Sequence, residues 1–281
     1  MGNALAQNNI DPQVVSDFGE EWAAYDQDGL GEEATQKAFD QYFHIFPFDQ
    51  LPANAQGFDM GCGSGRWAKL VAPRVGVLHC IDPSAQALAV AQKKLQAQDN
   101  VRFYESSVDA TPLNENTQDF GYCLGVLHHI PDTLSGIKDC TRFLKSGAPF
   151  LLYLYYNFEN RPLWFKILWK ISDLFRRVIC AMPFKLKKIV CAAIAVVIYV
   201  PLARLALFAE KMGKEVANFP LADYRNKPFY FLRTDALDRF GTRLEKRFSK
   251  AQITNMLEQA GMENVSFSDQ TPHWVCVSYK K

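Results

Sequence analysis

In "GFDMGCGSGRWAKL", Gly57 to Leu70, three glycines alternate with Cys62 and Ser64 before Arg66 and Trp67 lead into a helical segment. Glycines where a strand turns into a helix let the backbone approach a ligand closely and permit positive φ. The helix start adds free N–H groups and positive potential. Together they describe a nucleotide-binding turn and leave the nucleotide open. Gly63, Gly65 and Ala68 satisfy G-x-G-x-x-A, a dinucleotide fingerprint, and Asp82 lies 19 residues beyond Gly63, where an acid can hold a ribose. By itself the turn suits NAD.

Outward from the turn, short apolar runs alternate with amphipathic segments. Strands are expected at Gly57–Met60, Val75–Ile81, Val101–Ser106, Phe120–Leu124 and Phe150–Tyr155, with helices at Arg66–Ala72, Ser84–Gln96 and Leu134–Phe143 between them. Strands joined by helical crossovers pair in parallel, so the expected fold is α/β. From 158 to 247 no strand is legible and helical periodicity dominates. "SKAQITNMLEQAG" (Ser249–Gly261) then opens on an N-cap serine and stops at a glycine, followed by the strands "NVSFSD" and "HWVCVSY". Ahead of the turn, "DFGEEWAAYD" (Asp17–Asp26) and "EEATQKAFDQYFHIF" (Glu32–Phe46) read as helices.

The 281 residues are 48% hydrophobic, and 31 basic against 30 acidic side chains give a formal charge of +1, which argues against broad capture of nucleic acid. Seven scattered cysteines without a C-x-x-C pair signal neither a disulfide framework nor a zinc site, and a cytoplasmic protein is expected. The N-terminal "MGNALAQNNIDPQ" lacks a signal-peptide pattern, and Ala6 stands where a myristoylation motif carries Ser or Thr. The longest uncharged run, Ile189–Ala203, has 15 residues and contains Pro201. A membrane span needs ~20. A non-spanning chain is expected.

Three features narrow the choice of ligand. Asp59 precedes the glycines, making D-x-G-x-G-x-G; a carboxylate there is awkward beside a pyrophosphate and suits a cationic amino acid portion. Asp109, in "ESSVDATPL", follows the third strand and can accept a hydrogen bond from an adenine amino group. "LGVLHHIPD" follows the fourth strand, and "LKSGAPFLLYLY" leads into the fifth.

This ordered set resembles the class I S-adenosylmethionine-dependent methyltransferases, especially the small-molecule branch around the ubiquinone and menaquinone C-methyltransferases, over about residues 53–157 and 248–280. The resemblance implies a Rossmann-like sheet, mostly parallel with an antiparallel last strand, and a large helical insertion before the last helix and strands. It implies S-adenosyl-L-methionine as methyl donor and S-adenosyl-L-homocysteine as product. Residues 1–52 become an N-terminal helical lid, 53–157 and 248–281 the cofactor-binding core, and 158–247 the insertion, a substrate cap or a membrane- or partner-facing element. In the family, Asp59, Gly61, Gly63 and Gly65 face the methionine portion, with Cys62 a small filler among them. Asp82, beside Pro83, holds the ribose; Asp109 takes the adenine amino group, with Val108 beside the ring; the backbone near Leu124 and Gly125 helps hold the amine. Met60 stands in a usual Leu or Ile place, and Ser146 replaces the proline common before Gly147.

Methyl transfer from a sulfonium needs alignment and exclusion of water, and a base only where the acceptor must lose a proton. His128 and His129 are the candidate bases, His128 the first choice; packing is the alternative for each, and without a third ligand no metal is expected. Phe18, Trp22 and Tyr25 resemble a lid whose aromatic faces attract a sulfonium. In the insertion, Lys166, Lys170, Asp173 and Arg177 share one helical stripe opposite Trp164, Ile167, Leu168, Ile171, Leu174, Phe175 and Val178. Three lysines then precede the apolar run of "PFKLKKIVCAAIAVVIYVPLARLALF". A buried lid, a homodimer interface and peripheral membrane contact all suit this texture. As a lid it would roof the acceptor pocket with some of Trp164, Ile167, Leu168, Tyr224 and Tyr230. Trp22, Tyr25, Tyr224, Tyr230 and Arg233 are the candidate substrate contacts, Arg233 as a clamp for an anion. The expected function is methyl transfer to a small or amphipathic molecule. The alternatives are an NAD(P)-dependent oxidoreductase and a non-catalytic, membrane-associated cofactor-binding protein.

Overall fold

The computed structural model describes residues 9–25 and 31–281; the Met-Gly start and Asp26, the expected end of the first helix, lie outside the described residues. The chain forms two compact units. One holds Gly31–Asn157, Leu244–Lys281 and the described N-terminal residues; the other holds Phe158–Arg243.

The first unit is built on β1 (Gln56–Met60), β2 (Val77–Asp82), β3 (Val101–Glu105), β4 (Phe120–Leu124), β5 (Pro149–Tyr153), β6 (Met262–Phe267) and β7 (Val275–Lys280). They form one sheet in the order β3-β2-β1-β4-β5-β7-β6. The first five are mutually parallel, and β7 runs antiparallel to both β5 and β6. Because β1 pairs with both β2 and β4, the strand order reverses there. In open α/β sheets the crevice beyond the strand carboxyl ends at such a reversal is where ligands bind.

Helices α1 (Pro12–Ala24), α2 (Glu32–Phe43), α3 (Ala68–Val71), α4 (Ala85–Lys94), α5 (Thr133–Thr141) and α10 (Lys250–Gln259) belong to this unit. Local chemistry sets their starts. Asp11 accepts from the amides of Gln13 and Val14, Ser84 from Ala87, and Asp132 from Ser135. Ser249 and Gln252 close a capping box. The helix expected from Arg66 begins only at Ala68 and lasts one turn, passing into a 3-10 turn at Pro73. The α2 segment, part of the expected N-terminal lid, packs into the core. Its Phe39 and Phe43 rings stack 4.2 Å apart and pack with Trp67 and Tyr122.

The second unit is helical, as its periodicity implies: α6 (Leu163–Ile179), α7 (Phe184–Ile194), α8 (Val200–Lys211) and α9 (Phe229–Gly241). Both α6 and α7 pack against α9. Pro201 does not interrupt the apolar run. A π-turn at Ala195–Tyr199 joins α7 to α8, so Phe184–Lys211 is one continuous 28-residue helix. Proline clashes with the carbonyl four residues before it, and the wider π-turn relieves that crowding. By length and composition this helix is apolar enough to cross a membrane, with a mean hydropathy of 2.3 over its most apolar window. The face it turns inward includes Lys187, whose ammonium donates to the Gly241 carbonyl at 3.2 Å.

Candidate functional site

The glycine turn hangs from the end of β1. Gly61 and Cys62 donate their amides to the Ile81 carbonyl, and Gly63 donates to Oδ2 of Asp82 at 2.9 Å. The other Asp82 oxygen accepts from Ser84 at 2.9 Å, so one carboxylate ties the turn to the start of α4. Gly63 has φ +53°, and a Cβ there would lie 3.0 Å from the Trp22 indole nitrogen. Bare backbone at this position serves both the turn and the close approach of α1.

Asp59 and Asp82 are both buried. Burial raises the Asp59 pKa to about 8; the Tyr122 hydroxyl lowers it, Asp82 pushes it further up, and Arg66 draws it down. One Asp59 oxygen, Oδ2, is buried without a hydrogen-bond partner. Such a group is costly unless something arrives to pair with it. Burial also lifts Asp82, to about 6, against the amides of Ser84 and Gly63.

A cavity opens beside the turn, within the first unit. Gly61, Asp82, Pro83, Val108, Leu124 and Gly125 lie on its wall, as do Trp22, Phe18 and His129. Asp59, Cys62, Gly63, Gly65 and Asp109 are not among the residues that line it. Cys62 is buried and packs with the core, consistent with a filler. Asp109 accepts from the Asn9 amide at 3.1 Å. Its pKa is held low: burial is outweighed by nearby hydrogen-bond donors and the Arg142 charge.

Asn9 is the residue the sequence did not disclose. Besides Asp109, its side chain bonds both ways with the Asp132 backbone, at 2.7 and 2.8 Å. It thereby fastens the approach to α1 to Asp109 and the start of α5. A single asparagine near a chain end has no periodicity to announce it.

The two histidines separate. His129 is on the cavity wall, 5.0 Å from the Phe18 ring between centroids, with Nδ1 2.6 Å from the Leu244 carbonyl. A carbonyl only accepts, so in neutral His129 Nδ1 carries the proton and Nε2 is the basic nitrogen. His128 is fully buried, stacked 3.8 Å from Tyr155, and neither ring nitrogen has a hydrogen-bond partner. Burial, then the nearby His129 and Arg247, hold its pKa well below the ordinary imidazole range.

Tyr25 is buried at the end of α1 and is not on the cavity wall. Tyr224, Tyr230 and Arg233 belong to the second unit. There Tyr224 packs 5.5 Å from Tyr199, and the Arg233 guanidinium lies 5.6 Å from the Tyr230 ring centre. Trp164, Ile167 and Leu168 are exposed. Among the described residues no group of three or more His, Cys, Asp or Glu side chains is placed to hold a metal.

S-adenosylmethionine fits these residues. The unpartnered Asp59 oxygen would answer the cationic amino acid end, Asp82 the ribose, and Pro83 and Val108 an adenine face. A dinucleotide is disfavoured, because a one-turn α3 supplies little N-terminal potential for a pyrophosphate.

A methyltransferase-domain family matches residues 58–152. A ubiquinone biosynthesis O-methyltransferase of Vibrio campbellii is 30% identical over 163 residues, covering 54% of this chain and 66% of the relative. The protein of the same name in Vibrio cholerae is 28% identical over 166 residues, 56% of this chain and 63% of that one. The chain thus spans 63–66% of the length of these curated relatives. Among solved structures, an S-adenosylmethionine-dependent methyltransferase of Thermotoga maritima aligns at TM-score 0.53 and 13% identity, over 95% of this chain and 100% of that one. Phosphoethanolamine N-methyltransferase 2 of Haemonchus contortus, in complex with S-adenosyl-L-methionine, aligns at TM-score 0.50 and 14% identity, over 92% of this chain and 44% of that one. At such identities the structural likeness is one of fold.

Proposed function

We propose that the chain, whose residues 58–152 match a methyltransferase-domain family, is a class I S-adenosylmethionine-dependent methyltransferase that methylates a hydroxyl of a small or amphipathic molecule, with His129 as the base. The observation that carries this reading is His129 itself, on the cavity wall with Nδ1 committed to the Leu244 carbonyl. A hydroxyl must shed its proton to become a good nucleophile, and an oriented imidazole supplies the acceptor. The O-methyltransferase named among the relatives supports oxygen as the acceptor atom.

When bound, the donor supplies an electrophilic methyl group on a sulfonium. Asp59 holds its amino group, Asp82 the ribose hydroxyls and Asp109 the adenine amine. Trp22 and Phe18 keep water from the cavity and present aromatic faces to positive charge. His129 Nε2 takes the acceptor proton, and the Leu244 carbonyl steadies the imidazolium that results. A cytoplasmic location belongs to the same proposal.

Neither the nicotinamide oxidoreductase nor the non-catalytic binding protein is supported by the relatives. Incubation with donor labelled in its methyl group and a small-molecule extract, with mass spectrometry of the product, tests the proposal. An O-methylated product lost in His129→Ala supports it. Labelling on nitrogen or carbon, or full turnover in that variant, refutes the assigned chemistry.

A further inference from the structure

Every large apolar side chain that stands exposed among the described residues lies between Leu163 and Phe229, in the second unit. On α6, Leu163, Ile167, Ile171, Leu174 and Val178 follow helical spacing along one face and are 51–73% exposed. Two charged residues of the same helix are turned inward while this apolar row faces out. Asp173 and Arg176 are buried and paired at 2.7 Å, and Arg176 donates onward to the Thr242 carbonyl. This is the reverse of a helix on a water-facing surface. The continuous helix Phe184–Lys211 repeats the arrangement. Lys187, Cys191, Ala195 and Tyr199 are buried, while Ile189, Val197 and Phe208 are 62–71% exposed. An apolar surface of this extent marks an interaction site.

Charge selects the partner. Residues 158–243 contain sixteen Lys and Arg against seven Asp and Glu, a net +9, so the rest of the chain carries −8. Exposed Lys170, Arg177, Lys185 and Arg204 stand among the exposed apolar positions. A second copy meeting this face would bring two strongly positive surfaces together. An anionic surface would be attracted to it. Orientation follows from Lys187 and Tyr199, which hold the long helix against its own unit; a helix packed along one side lies flat rather than crossing.

We propose that the second unit docks on an anionic lipid bilayer, with α6 and the Phe184–Lys211 helix in the plane of the interface. Their apolar faces enter the headgroup–acyl boundary and their basic side chains meet lipid phosphates, the arrangement of interfacial amphipathic helices. This does not depend on the methyl-transfer reading.

Flotation of the full chain with phosphatidylcholine vesicles, with and without phosphatidylglycerol, tests it. The protein should float with the anionic vesicles at low salt, lose most of that binding at high salt, and float weakly with phosphatidylcholine alone. The triple variant Ile171→Ser, Leu174→Ser, Val178→Ser, shown folded by its melting curve, should bind at least tenfold less. Lys170→Gln and Lys185→Gln should each weaken binding by about fivefold. Failure to float with anionic vesicles at low salt overturns the proposal. A stable dimer that the triple variant dissociates, with vesicle binding unchanged, makes the face an interface between copies. Retention in membranes through alkaline carbonate extraction means that the long helix spans, which also overturns it.

Discussion

Asp59 sits at the end of β1 with one oxygen unpartnered and a pKa raised to about 8 by burial, so its carboxyl is mostly protonated at neutral pH until a cation arrives. In the unfolded chain the same group has the ordinary value of 3.8. The native state therefore binds the extra proton, and stability without ligand falls as pH rises from about 4 toward 8, by at most ~1.4 kcal/mol per pH unit from this group. Asp82, raised to about 6, adds to the fall up to that pH. Asp59→Asn should raise the melting temperature of the ligand-free protein at pH 8 while weakening S-adenosylhomocysteine binding at least tenfold. Calorimetry and a melting curve check both halves, and a loss of stability at pH 8 would contradict the pairing. Asp82→Ala should also weaken binding at least tenfold, since a charged hydrogen bond contributes ~1.5–3 kcal/mol. The histidines should part company. His129→Gln should lower kcat by ~10²–10⁴ with S-adenosylhomocysteine affinity intact, the range for losing a general base. His128→Leu should leave both constants and the melting temperature nearly unchanged, because no hydrogen bond is lost at its unpartnered ring nitrogens.

At the scale of elements, α1 is the part most exposed to test. Trp22 closes on Gly63, and Asn9 ties the helix approach to Asp109 and Asp132. Gly63→Val must accommodate a branched side chain at φ +53° and displace the indole, so it should abolish cofactor binding. Asn9→Ala should instead speed release of S-adenosylhomocysteine in stopped-flow measurements, with smaller loss of affinity. Unchanged release would mean that the strap does not hold the lid. Much of this architecture was legible. Alternation placed β4 at Phe120–Leu124 to the residue, and Ser249 announced α10 through its cap. The turn from Gly61 to Gly65 disclosed the crevice. What escaped had physical reasons. Periodicity in α6 shows which residues share a face, but only packing within the helical unit decides that Asp173 and Arg176 go inward while Lys170 and Arg177 stay exposed. Pro201 signals a break, yet a π-turn that no residue pattern marks carries the helix past it. Asn9 works through partners 100 and 123 residues away, beyond any local signal.

Over the whole molecule, sequence and charge divide along the same line. The unit holding the sheet contains all the described residues of the cavity wall, and the helical unit carries the net positive charge and the exposed apolar faces. Replacing residues 158–243 with a short linker should therefore leave S-adenosylhomocysteine binding within a few-fold of the intact chain, while abolishing vesicle flotation. The measurement that bears most directly on the cofactor assignment is titration calorimetry of the intact protein with S-adenosylhomocysteine, repeated near pH 7 in two buffers of different ionisation enthalpy, with NADH as the comparison. The expected result is stoichiometric binding of S-adenosylhomocysteine with release of close to one proton, as the buried Asp59 carboxyl ionises against the ligand amine, and no heat from NADH. Binding of NADH without S-adenosylhomocysteine, or S-adenosylhomocysteine binding unchanged in Asp59→Asn, would contradict it.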